Sequence, residues 1–190
     1  MSRRGRRGGG ARVRPSPFAI AVRVALNAKG VPHAYVEEDL VDKSDLLLAS
    51  SPVHRKVPVL IHNGRPVCDS RVILQYVDEA WAAADPAARP ARPRRRPLLG
   101  RLRPRRGGPG VASVREGEAP PFFGGDGVGY VDAVLGGFLP WFAAIEEMAG
   151  GGVKLVDAER TPRLAAWAER FRTDDAASGV LPSDAGEVVE

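Results

Sequence analysis

Residues 82–117 set the strongest constraint on what this chain can fold into. Their central run, AARPARPRRRPLLGRLRPRRGGPG, is crowded with proline and arginine and holds no aromatic residue. Proline at this density cannot sustain a helix or a central strand. Arginine in such numbers favours solvation over packing. The stretch therefore reads as a solvated linker, and the rest of the 190-residue chain falls into an N-terminal and a C-terminal foldable part.

Charge follows the same division. The formal net charge is +5, from 28 basic and 23 acidic residues. Residues 1–15 hold six Arg and no acid, and residues 85–116 hold ten Arg against Asp85 and Glu116. The rest of the chain is net acidic, which excludes a uniformly basic nucleic-acid-binding domain. The linker also lacks the interleaved aromatics that favour single-strand binding. One cysteine, Cys68, excludes an internal disulfide framework and a CxxC redox pair. No run approaches the ~18 apolar residues of a membrane span.

Residues 16–81 carry dense local signals. Ser16-Pro17 opens a helix through FAIAVRVALNAK, which stops at Gly30. His33 to Leu40 reads as a short strand, and KSDLLLAS as a short helix or turn. VPVLIHNGRPVC gives two β runs around Asn63-Gly64, a hairpin signal. Asp69-Ser70 caps a further helix through VILQYVDEAW, with Ile73, Tyr76, Val77, Ala80 and Trp81 as its apolar face. After the linker, PFFGGDGVGYVDAVLGGFLPWFAAIEEM begins in a glycine-rich turn and continues as a helix. Asp132 there can reach back to the first amides, and Pro140 should kink or end the helix. Thr161-Pro162 starts another helix, in which Leu164, Trp167, Ala168 and Phe171 share a face. The tail after Thr173 reads as weakly structured, and Cys68 as a small buried hydrophobe.

Three places can carry chemistry. Ser16 stands at a helix N-terminus, where unpaired amides and a partial positive charge favour an anion. A serine hydroxyl there can hydrogen-bond a thiolate, although a plain helix cap is the commoner use of such a residue. Val57-Pro58, between two β runs, is a candidate cis bond that would turn the backbone of Val57 toward an extended ligand. Asp69 and Ser70 can grip an α-amino acid head, the one pairing an ammonium and the other a carboxylate, while Lys43 and Lys56 can hold a second carboxylate. His33, His54 and His62 lack metal-ligand spacing, so no metal is expected. GGDGVG at 124–129 lacks the ending of a phosphate loop.

Taken together, SPFAIAVRVALNAKG (16–30), YVEEDLVDKSDLLLASSPVHRKVPVLIHNGRPVCDS (35–70), VILQYVDEAW, PFFGGDGVGYVDAVLGG and ERTPRLAAWAERF resemble plant glutathione transferases, most closely the tau class. The resemblance implies an α/β thioredoxin-like N-terminal domain plus an all-α C-terminal domain, partial here because the linker stands where the first long helices of the second domain would run. The expected organisation is an Arg-rich N-terminus (1–15), a glutathione-binding domain (16–81), the linker (82–117) and a partial helical domain (118–190).

The resemblance also implies roles. Ser16 hydrogen-bonds the glutathione sulfur and is the catalytic residue; Lys43 and Lys56 hold the glycine carboxylate; Val57 pairs with the cysteinyl backbone; Asp69 and Ser70 hold the γ-glutamyl head. The expected reaction joins the glutathione thiolate to an electrophilic small molecule, with glutathione as co-substrate and no other cofactor. A cytosolic location, no nucleic-acid or membrane partner, and the homodimer usual in the family complete the expectation. Rival readings are a non-catalytic binding protein on the same scaffold and an interaction protein using residues 85–106.

Overall fold

Helix α1 (Pro17–Ala28) is apolar on almost every side, and both halves of the molecule pack on it. A computed structural model of the protein describes residues 16–81 and 120–182. Residues 1–15, the whole linker with residues 118 and 119, and the last eight residues lie outside the described residues, and with them the expectations placed there. One face of α1, through Val22, Ala25 and Leu26, packs against Ile73, Leu74 and Val77. Another face, through Ile20 and Val24, enters a second cluster with Phe122, Ala133, Leu139, Trp167 and Phe171. A helix that is hydrophobic all round is a buried one, and here it is the common wall of two cores.

The N-terminal part continues with α2 (Asp45–Ser50), β1 (Val59–His62), β2 (Arg65–Cys68) and α3 (Ser70–Ala80). Strands β1 and β2 form an antiparallel hairpin in which His62 faces Arg65 and Leu60 faces Val67. Asn63 and Gly64 both take positive φ, 51° and 73°, as a two-residue hairpin turn demands. Ser44 caps α2 by accepting from the Leu47 amide at 3.2 Å. Lys29, at the end of α1, forms a buried ion pair with Asp78 of α3 at 2.7 Å. This pair clamps the two helices that flank the hairpin.

The C-terminal part holds α4 (Tyr130–Gly137), α5 (Leu139–Met148) and α6 (Pro162–Thr173). Asp132, fully buried, organises it. Its carboxylate accepts from the amides of Phe123, Gly124 and Gly129 and from the Trp167 indole. The expected break falls at Phe138, and Pro140 sits in the first turn of α5 rather than inside a continuous helix. Helix α4 meets α1 at a glycine: a Cβ at Gly137 would lie 2.3 Å from the Pro17 carbonyl oxygen. Gly136 likewise makes room for the Phe171 ring.

Three expectations are corrected. Residues 33–40 form no strand. A strand needs a hydrogen-bonded neighbour, and β1 pairs only with β2 among the described residues. The segment after Thr173 is packed rather than loose: Ala176, Ala177 and Val180 are buried in the second core. Asn27 of α1 donates to the Ala176 carbonyl at 3.1 Å and holds that segment in place. Cys68 is half-buried, and its thiol donates to the Ser50 carbonyl at 3.3 Å.

Candidate active site

Ser16 precedes the first residue of α1, with extended backbone and Pro17 in the first turn. Its hydroxyl makes no capping bond to the helix. The plain-cap reading of Ser16 is thus not realised, and the hydroxyl is left available to a ligand. The carbonyl of Ser16 accepts from Ile20, which starts the helical ladder. The amides of Phe18 and Ala19 precede that first bond and have no intrahelical acceptor. No acidic side chain lies in the first turn of α1. The helix end therefore keeps its partial positive charge for an incoming anion.

A cavity of about 430 Å³ opens beside Ser16. Val57 and Pro58 line it together with Ser16, and the Val57-Pro58 bond is cis as expected. From there it runs between α1 and β1 toward His62 and Trp81. His62 Nδ1 lies 2.6 Å from the Tyr76 hydroxyl, and its ring lies against Trp81 at 4.8 Å between centroids. Most of the lining side chains are apolar, among them Val22, Leu26 and Leu60.

Lys43, Lys56, Asp69 and Ser70 are not among the residues that line this cavity. Lys43 is half-buried just before α2, and Lys56 is exposed on the loop leading to Val57. Asp69 caps α3 in a left-handed conformation, φ 73°, and its Oδ1 accepts from the amides of Arg71 and Val72. The Arg71 side chain approaches the same oxygen at 3.9 Å, so these contacts all fall on Oδ1. Ser70 is the first residue of α3 and half-buried.

One residue at the cavity escaped sequence reasoning. Arg23 interrupts the apolar run of α1. Its guanidinium lies 4.2 Å from the Tyr35 ring centroid, and Nη2 donates to the Gly179 carbonyl at 2.8 Å. Burial pushes the Tyr35 hydroxyl above its usual range, and the Arg23 charge partly offsets this. A lone arginine in an otherwise apolar helix was the available signal. Phe18, 47% exposed next to Ser16, does not line the cavity; it begins an aromatic row that continues edge-to-face to Phe138 at 5.6 Å and on to Phe142.

The family described as "Glutathione S-transferase, N-terminal domain" matches residues 12–85, and "Glutathione S-transferase, C-terminal domain" matches residues 74–170. The chain is 47% identical to the "Probable glutathione S-transferase GSTU6" of Oryza sativa subsp. japonica, over 92% of this chain and 88% of that one. It is 36% identical to "Glutathione S-transferase U17" of Arabidopsis thaliana, over 90% and 88%. Among solved structures it is similar to the tau-class glutathione S-transferase of mango, Mangifera indica, with a TM-score of 0.70 at 34% identity and 92% coverage of both chains. A rice glutathione transferase solved in complex with glutathione gives 0.63 at 34% identity, over 91% of this chain and 90% of that one. The chain joins a thioredoxin-like N-terminal domain to a helical C-terminal one, and it belongs to the tau class of the plant glutathione S-transferase family, transferases with glutathione as co-substrate.

Proposed function

We propose that Ser16 is the residue that turns bound glutathione into a nucleophile here. The observation that carries this reading is the free Ser16 hydroxyl at an uncompensated helix N-terminus, beside a cavity that Val57 also lines. A thiol near that end is favoured as thiolate, because the amides of Phe18 and Ala19 and the helix dipole stabilise negative charge. The hydroxyl donates one more hydrogen bond to the sulfur. A free thiol titrates near ~8.5, and a depression of about two units corresponds to roughly 2.7 kcal/mol. The thiolate attacks an electrophilic carbon and a thioether forms, while the displaced group leaves or the adduct takes up a proton.

The remaining roles complete the grip. Val57 offers backbone groups to the cysteinyl peptide. Ser70 supplies an amide and a hydroxyl at the start of α3 for the γ-glutamyl carboxylate. Asp69 faces the ammonium with the oxygen that the helix cap does not use, and Lys43 and Lys56 hold the glycine carboxylate. Phe18, Phe138 and Phe142 offer an apolar aromatic wall for the electrophile. Residues 16–81 act as the glutathione-binding domain and 118–190 as the domain that shapes the second-substrate site. The family homodimer and a cytosolic location belong to the same reading; among the described residues no helix is long and apolar enough to cross a membrane.

Capture of the folded protein on immobilised glutathione, followed by a conjugation assay on the eluted fraction, tests the reading. Retention with turnover is the expected result. Retention without turnover would make the protein a glutathione-binding protein on the same scaffold.

A further inference from the structure

The loop that carries Lys43 is held by side chains rather than by its own backbone. Residues 39–43 make no backbone–backbone hydrogen bond among the described residues. Two half-buried carboxylates give the loop its shape instead. Asp39 Oδ1 accepts from the Val41 amide at 2.8 Å and from the Asp42 amide at 3.2 Å. Glu38 reaches across the loop to Ser44, the residue after Lys43. Its Oε1 accepts from the Ser44 amide at 2.6 Å, and its Oε2 accepts from the Ser44 hydroxyl at 2.7 Å. The same hydroxyl accepts from the Leu47 amide at 3.2 Å, so the clamp continues into α2. Lys43 itself makes no hydrogen bond or ion pair with any described residue.

We propose that Glu38 is a positioning residue for the glycine carboxylate of glutathione: by clamping both donors of Ser44 it fixes the backbone of Lys43 and so directs that ammonium at the ligand. The inference rests on the reading of Lys43 given above. Charge alone argues the opposite. Glu37, Glu38, Asp39, Asp42 and Asp45 all lie within six residues of Lys43, and each repels an incoming carboxylate. If Glu38 acted only through its charge, its removal would tighten glutathione binding. If it acts through Ser44, its removal loosens the loop, and Lys43 must then be ordered at the moment of binding, which weakens it. Two charge-assisted bonds at 2.6 and 2.7 Å outweigh a repulsion that solvent and salt screen, so the second sign is the expected one.

Titration calorimetry on the full-length protein tests it with two ligands, glutathione and glutathione whose glycine carboxylate is converted to the amide. The unaltered protein should bind glutathione about tenfold or more tighter than the amide, the worth of a charge-assisted contact. Glu38→Ala should weaken glutathione binding about fivefold and amide binding less than about twofold, so that the preference shrinks. Glu38→Gln keeps an acceptor for the Ser44 amide and should recover much of that preference without the charge. Glutathione binding that is unchanged or tighter in Glu38→Ala would overturn the proposal. So would equal losses for the two ligands, or a Glu38→Gln no better than Glu38→Ala. Equal binding of both ligands by the unaltered protein would overturn the reading of the lysines, and the proposal with it. A preference that survives intact in Glu38→Ala overturns the positioning role alone. If Glu38→Ala fails to fold, Ser44→Ala removes the hydroxyl half of the clamp and leaves the Glu38 charge in place. It should shrink the preference by about twofold or more, and an unchanged preference there would overturn the proposal.

Discussion

The buried carboxylate of Asp132 accepts the indole N–H of Trp167 at 2.8 Å, across 35 residues of sequence. Three backbone amides share the same carboxylate, so one side chain joins the Phe123–Gly124 turn, the start of α4 and the middle of α6. Asp132→Asn turns one acceptor oxygen into an N–H₂ that faces amide donors. It should cost about 3 kcal/mol or more, the range for leaving charged-group hydrogen bonds unmade in a buried site. Trp167→Phe removes one bond and part of a buried ring, and should cost about 1–3 kcal/mol. Urea unfolding of the two variants checks the order.

The contact between Gly137 and Pro17 ties the helical domain to the Ser16 end of α1. Gly137→Ala places a methyl 2.3 Å from the Pro17 carbonyl oxygen and must push the helices apart. Overpacking of this kind costs about 1–3 kcal/mol. Since Pro17 follows Ser16, conjugation should also slow more than the loss of folded protein explains. Gly127→Ala, where an added Cβ meets nothing within 4 Å, is the matched control and should be near neutral in both assays.

The α3 start is tested by a substitution that keeps the cap. Asp69→Asn preserves a capping oxygen and tolerates the left-handed backbone, but removes the charge offered to the ammonium. Glutathione binding should weaken by about 1.5–3 kcal/mol with little change in melting temperature. Titration calorimetry beside a thermal scan reads both. Equal affinity for wild type and Asp69→Asn would remove Asp69 from the site.

Asp157 gives a pH signature separate from catalysis. Its carboxylate accepts from the amides of Arg160 and Glu159, which lowers its pKa below the ordinary value of 3.8. A depressed carboxyl stabilises the fold above its unfolded pKa, and the gain is lost as pH falls through the folded value. NMR titration of the Asp157 carboxyl should give a midpoint below 3.8, moving upward in denaturant. A midpoint at or above 3.8 in the folded protein contradicts the hydrogen-bonded turn.

How much of this was legible in the sequence follows from how far each interaction reaches. The helix starts at Ser16-Pro17 and Asp69-Ser70 and the turn at Asn63-Gly64 are local chemistry, and each element formed where those residues put it. The pairing of Asp132 with Gly129 is local too, but its bond to Trp167 is not. The Lys29–Asp78 pair spans 49 residues and left no pattern to read. Residues 33–40 have strand composition, yet composition cannot supply the neighbour that a strand requires. Ala176, Ala177 and Val180 read as a loose tail because small apolar residues are buried only by what the rest of the chain brings to them. At the site, Ser16 and Val57 were legible from position, whereas Arg23 became informative only once Tyr35 and Gly179 were seen around it.

The central claim is that Ser16 lowers the pKa of the bound thiol, and the direct measurement is a spectroscopic pH titration of the glutathione thiolate in the complex, for wild type and Ser16→Ala. The account predicts a midpoint about two units below the free thiol's ~8.5 in the wild type. In Ser16→Ala it should rise by about one unit or more, the worth of roughly 1.4 kcal/mol, with glutathione still bound. The same midpoint in both proteins, with glutathione bound in each, would contradict it.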